Sequence, residues 1–121
     1  LADYVFLDCT SSLDDPLSVY GMAAADKAVQ LITPDIRSAA YYASFEKTYE
    51  QIKSKSIGVI NITDKDLYLP VGEVKSGFSN AKYILPYSMY LKQQYITGEL
   101  TQKIPDQKFS AVCRGIAGAV L

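Results

Sequence analysis

Asp8 follows four apolar residues, Tyr4-Val5-Phe6-Leu7, and precedes the small polar run Cys9-Thr10-Ser11-Ser12. A carboxylate set at the carboxyl end of a buried strand is in the position from which an acid acts on nucleotide-bound Mg2+. The same pattern arises when an aspartate caps the next turn. Asp8 is the first candidate for chemistry, with the hydroxyls of Thr10 and Ser11 beside it. Three further polar clusters directly follow apolar runs: Thr33-Pro34-Asp35, Asn61-Ile62-Thr63-Asp64 and Pro86-Tyr87-Ser88. In open parallel α/β sheets ligands bind beyond the carboxyl ends of the strands, so these are the positions where a site is expected. Neither GxGxxG nor GxxxxGK[ST] occurs, so these residues lack the backbone N–H cradle and the lysine that hold a nucleotide's phosphates.

Other chemistries are excluded by composition. The chain has no histidine, which removes Ser-His-Asp and Cys-His hydrolysis and histidine-based zinc sites. Its two cysteines, Cys9 and Cys113, show no CxxC spacing and are expected as small buried apolar side chains rather than a disulfide or redox pair. A net charge of -1 leaves no cationic excess for nucleic acid or anionic lipid. No apolar run reaches the roughly 18 residues of a membrane span, and Leu1-Ala2-Asp3 lacks a signal-peptide pattern, so a cytoplasmic chain is expected. With 121 residues, 49% of them hydrophobic, a single folded unit over 1–121 is expected.

The elements that must position these clusters follow from periodicity. Tyr4–Leu7 reads as a buried strand. Asp14-Asp15-Pro16 supplies an N-cap and an N1 proline for a helix over about 16–25, with Leu17, Tyr20, Ala24 and Ala28 on one face. Val29–Ile32 is a second strand, and Asp35 caps a longer helix whose stripe is Ile36, Ala39, Tyr42, Phe45, Tyr49 and Ile52. Ile57–Ile60 is a third strand, and the stretch from Leu67 to Asn80 a short helix or loop. Lys82–Pro86 is a fourth strand, Ser88 caps a helix running to Gly98, and Asp106 caps the last, with Phe109, Val112, Ile116, Ala119 and Val120 on its apolar side. Alternating strands and helices predict an α/β fold, a three-layer parallel sheet with helices on both faces.

Several phrases carry a family resemblance. Asp3 to Leu13 (DYVFLDCTSSL), then Ala23 to Val29 (AAADKAV), Leu31-Ile32-Thr33-Pro34-Asp35, Gly58-Val59-Ile60-Asn61, Ile84-Leu85-Pro86-Tyr87 and Tyr95-Ile96-Thr97-Gly98 stand in order along the chain. Together they resemble the second half of the ParA/MinD family of deviant Walker A ATPases, a SIMIBI-class branch of the P-loop NTPase fold. The Ser-Ser-Leu-Asp-Asp-Pro stretch is similar to the TadZ/CpaE members, which act in pilus localisation and polarity. The resemblance implies ATP and Mg2+ as cofactors of a full-length parent, with Asp8 acting on Mg2+ through water. It implies a switch loop over Thr10 to Leu13, including Ser11, that senses the γ-phosphate. Asn61 would hydrogen-bond the adenine edge, which suits a carboxamide because it offers donor and acceptor together. The backbone around Pro86 and Tyr87 would complete the base pocket.

The resemblance has one large departure: the family's phosphate loop, first strand and first helices have no counterpart here. The expectation is a C-terminal portion of a longer ATPase, inactive alone, partnered by its missing N-terminal half and forming ATP-dependent homodimers that position a plasmid, division or pilus machine. Cys9 and Ser11-Ser12 also replace residues more common in the family's switch. A second reading is a non-catalytic scaffold of the same fold, in which some of the 10 tyrosines make protein contacts. A phosphoacceptor receiver domain is disfavoured, since it needs an acidic pair on an earlier strand and a later Lys-Pro.

Overall fold

The most apolar stretch of the chain becomes its centre. Ser56–Asn61 forms strand β2, buried from Ser56 through Ile60, with Val59 and Ile60 fully shielded. In this computed structural model, which describes residues 2–10, 12–66, 70–78 and 80–121, β2 lies between β1 (Ala28–Ile32) and β3 (Ala81–Leu85). Both pairings are parallel: Ala28 stands opposite Ser56 and Ile32 opposite Ile60, while Gly58 stands opposite Ala81 and Asn61 opposite Leu85. Parallel strands need crossovers, and helices supply them: α2 (Ile36–Ser44) and α3 (Glu46–Ile52) join β1 to β2, and α4 (Val71–Ser76) joins β2 to β3, while α1 (Pro16–Ala24) leads into β1. Helices α5 (Met89–Thr97) and α6 (Gln107–Val120) follow. The α/β class and the parallel sheet flanked by helices are as the sequence predicts.

Strand alternation splits the sheet residues between two faces. Ile32, Ile60 and Ala81 meet Val74 and Phe78 in the core, with Ala39 and Tyr42 of α2 packed against them. On the other face α6 lies against β3, where the Tyr83 hydroxyl donates to the Gly115 carbonyl at 3.1 Å. The β1 end of that face is uncovered, leaving Val29 and Leu31 exposed.

Caps set the helix starts. Asp15, Asp35, Ser88 and Asp106 each accept a hydrogen bond from the backbone N–H three residues on, and Gly98, with φ of 77°, closes α5 in the left-handed conformation. The Ser18 hydroxyl holds the Asp15 carboxyl below its ordinary value of 3.8, and the Thr33 hydroxyl does the same for Asp35. A depressed folded-state value means stability that is present above the unfolded value and is lost as pH falls through the folded one. Helix content should therefore fall as pH drops through and below 3.8. Paired Asp15→Asn and Asp35→Asn substitutions should flatten that dependence in circular dichroism melts.

Two expected elements differ. Tyr4–Leu7 forms no strand; all four residues are exposed, and no strand among the described residues pairs with them. The single helix expected from Ile36 to Ile52 is divided at Phe45, whose backbone (φ -114°, ψ 19°) leaves the helical region. Its N–H closes back on the Tyr41 and Tyr42 carbonyls, and the Ser44 hydroxyl takes the Ala40 carbonyl at 2.8 Å. Several residues assigned to apolar stripes, Leu17, Tyr20 and Ile36, are exposed, as are both cysteines, which were expected to be buried. Among the described residues no helix is long and apolar enough to cross a membrane.

Candidate functional site

The carboxyl edge of the sheet is assembled by strand register. Ile32 ends β1 opposite Ile60, so Thr33 lies next to the row of Asn61, which itself stands opposite Leu85. Pro86 and Tyr87 therefore begin directly beside Asn61. The local reasons are simple. Pro86 has no N–H for a further ladder bond and ends β3, and the buried Ser88 turns the chain into α5 by accepting from the Leu91 N–H. The Ile62 N–H still reaches the Leu85 carbonyl at 3.0 Å, which fixes the backbone on both sides of this edge. Asn61 is half-buried and its carboxamide makes no hydrogen bond to another described residue. The Tyr87 hydroxyl points to the Met89 sulfur at 3.6 Å.

Asp8 and Thr10 are not brought into this row. Asp8 is exposed in the irregular segment before α1, with no ion pair among the described residues. Thr10 is tied to the start of α1: its N–H donates to the Ser18 Oγ at 2.9 Å, and the Ser18 hydroxyl donates to Asp15 Oδ2 at 2.7 Å. The Thr10 hydroxyl lies 3.0 Å from that of Ser18. Ser11 lies outside the described residues. The segment also packs on α1, where a Cβ on Gly21 would sit 3.1 Å from the Cys9 sulfur and 3.6 Å from Leu7.

Ser18, almost wholly buried, was not singled out from sequence. Its signal is its place at N3, three residues after the Asp15 cap. A serine there is usually a solvent-facing helix residue, and nothing in the sequence links it to Thr10.

The fit of Mg-ATP divides between its two ends. Half-buried Asn61, one row before Pro86, carries in its carboxamide the donor and acceptor that an adenine edge requires. The phosphate end has no counterpart: among the described residues no group of three or more acidic, cysteine or histidine side chains clusters as a metal site, and Asp8 stands alone. No protein-family model, curated protein or solved structure matches the chain.

Proposed function

We propose that this chain is the C-terminal half of a ParA/MinD-like ATP-binding protein with a P-loop NTPase fold, whose parent uses ATP-dependent dimerisation to position a plasmid, division or pilus machine. The observation that supports the reading is the register of β2 with β3, in which Asn61 stands opposite Leu85, the residue directly before Pro86 and Tyr87, at the carboxyl edge. In this reading the missing N-terminal half brings the phosphate loop and covers the exposed Tyr4–Leu7 run. Asp8 then faces Mg2+ through water. Thr10, moored to Ser18 and Asp15, carries movement of the Thr10–Leu13 switch loop into α1. When bound, ATP supplies the γ-phosphate whose hydrolysis times the dimer, and the chain by itself does not hydrolyse it.

The test begins with the coding sequence upstream of Leu1. An in-frame phosphate loop is expected there, and titration of a fluorescent ATP analogue into the encoded parent should give saturable binding. Asn61→Ala should weaken that binding by about tenfold, the value of one or two lost hydrogen bonds to the base. An in-frame start without a phosphate loop, or binding insensitive to Asn61, overturns the reading. The scaffold alternative would then stand on the exposure of Tyr4, Tyr20, Tyr90 and Tyr95, which gives a protein partner aromatic anchors.

A further inference from the structure

We infer that the cavity between α5 and residues 98–105 is a binding site for a free α-amino acid with a neutral side chain. The cavity measures about 270 Å3, and Tyr90, Gln94, Glu99, Lys103 and Pro105 stand in its wall. Sites for drug-sized ligands run from about 300 to 1,000 Å3, so this one matches a single small metabolite rather than a nucleotide. None of its lining residues belongs to the row of Asn61, Pro86 and Tyr87. Gln94 builds the cavity. Its backbone carbonyl accepts from the Glu99 N–H at 3.0 Å and the Thr97 hydroxyl at 3.3 Å, and its Nε2 donates to the Gln102 carbonyl at 3.0 Å. One residue thus holds the segment after Gly98 against α5. A backbone carbonyl can only accept, so the bond to Gln102 fixes the amide with Oε1 as the remaining group. Gln94 is 8% exposed, and its buried Oε1 accepts from no described residue. Buried acceptors are normally paired, so an orphaned one on a residue that walls a cavity marks where a donor is taken.

The charges in the wall set the class of ligand. The Thr97 hydroxyl donates to Glu99 Oε2 at 3.2 Å and so orients that carboxylate. Glu99 and the Gln94 Oε1 are two acceptors, one of them charged, which suits an ammonium with its several N–H donors. Lys103 lines the same cavity and offers a cation to a carboxylate; among the described residues it forms no ion pair with Glu99. A small unit that carries both an ammonium and a carboxylate is an α-amino acid. No third charged residue lines the cavity: Lys92 and Lys108 lie outside its wall, as does Asp106, which is committed to the Phe109 N–H as the α6 cap. The side chain it takes is therefore neutral, and the Tyr90 ring and Pro105 give that side chain an apolar surface. The inference does not depend on nucleotide binding.

Titration of the 121-residue chain with L-leucine and with L-phenylalanine, followed by proton–nitrogen correlation spectra, provides the test. Saturable shifts are expected at the Gln94 side-chain amide and at the Thr97, Glu99 and Lys103 backbone N–H signals, while Asn61 stays unmoved. Hydrocinnamate, which is phenylalanine without its ammonium, and phenethylamine, which is phenylalanine without its carboxylate, should each bind about tenfold more weakly than L-phenylalanine. Glu99→Gln and Lys103→Gln, both at exposed positions, should weaken L-phenylalanine by a similar factor and leave signals outside the cavity in place. Glu99→Gln should not weaken hydrocinnamate, and Lys103→Gln should not weaken phenethylamine, a pattern that a merely structural role for either residue would not produce. The absence of saturable shifts up to the solubility limit of both amino acids overturns the inference and leaves water as the cavity's occupant. Binding indifferent to both variants overturns it too, as does equal binding of D-glucose.

Discussion

Phe78→Ala is expected to cost about 3–5 kcal/mol, the range for truncating a fully buried phenylalanine. Phe78 is 2% exposed and joins Val74, Ile32, Ile60 and Ala81 in the core. Its ring meets the edge of Tyr42 with centroids 5.1 Å apart, and Tyr42 in turn stacks on Tyr49 at 4.8 Å. Removing it empties the space where α2, α3 and α4 meet the sheet, and the surroundings are held by backbone that cannot collapse: the Phe78 carbonyl accepts from the Ala81 N–H, which opens β3. A cost of this size is a large part of the ordinary stability of a domain. Urea unfolding followed by tyrosine fluorescence checks it. A loss below about 1 kcal/mol would mean that the aromatic cluster is not the centre of the core.

Gly58→Ala is expected to cost about 3 kcal/mol, at the upper end for forcing atoms into a packed interior. A Cβ there would lie 2.6 Å from the Asn80 carbonyl oxygen, 2.8 Å from its carbon and 3.0 Å from the Ala81 Cα. All three are backbone atoms, so no side chain can swing away. They are also fixed from both sides: the Gly58 N–H donates to the Asn80 carbonyl at 2.8 Å, and the Asn80 carboxamide donates to the Ser56 carbonyl at 2.9 Å. Gly118→Ala is the control. Its Cβ meets nothing within 4 Å in the exposed last turn of α6, so it should raise stability by about 0.5 kcal/mol through helix propensity. The two glycine variants should move the melting temperature in opposite directions.

What could be read in advance follows how local the determinants are. The caps at Asp15, Asp35, Ser88 and Asp106 were legible because a cap is a relation between residues three apart, and the strands β1, β2 and β3 because apolar runs closed by polar or proline residues are local too. The division at Phe45 was not, because the stripe continues through it and the break lies in the backbone of Phe45 itself, which leaves the helical region. The Tyr4–Leu7 run has every local mark of a strand, yet a strand is a relation to a neighbour, and none of the described residues supplies one. At the candidate site, register sets Asn61 opposite Leu85, one row before Pro86, because both follow apolar runs that become neighbouring parallel strands. Asp8 and Thr10 stand apart from them, and the burial of Ser18, which ties Thr10 to α1, depends on a contact eight residues away that no pattern announces.

Lys55 has a consequence for the order in which the chain takes shape during synthesis. Its ammonium donates to the Ala23 and Ala25 carbonyls at 2.6 and 2.8 Å, so the last turn of α1 is finished by a residue made some thirty positions later. The same delay holds for the sheet: Ala28 waits for Ser56, and Gly58 waits for Ala81. A ribosome adding residues one at a time releases α1 and β1 well before anything exists to hold them, and they stay open to other chains for that interval. The growing chain is most exposed to wrong pairing in the interval between the emergence of β1 and the emergence of β2 from the exit tunnel, when neither edge of β1 has its partner.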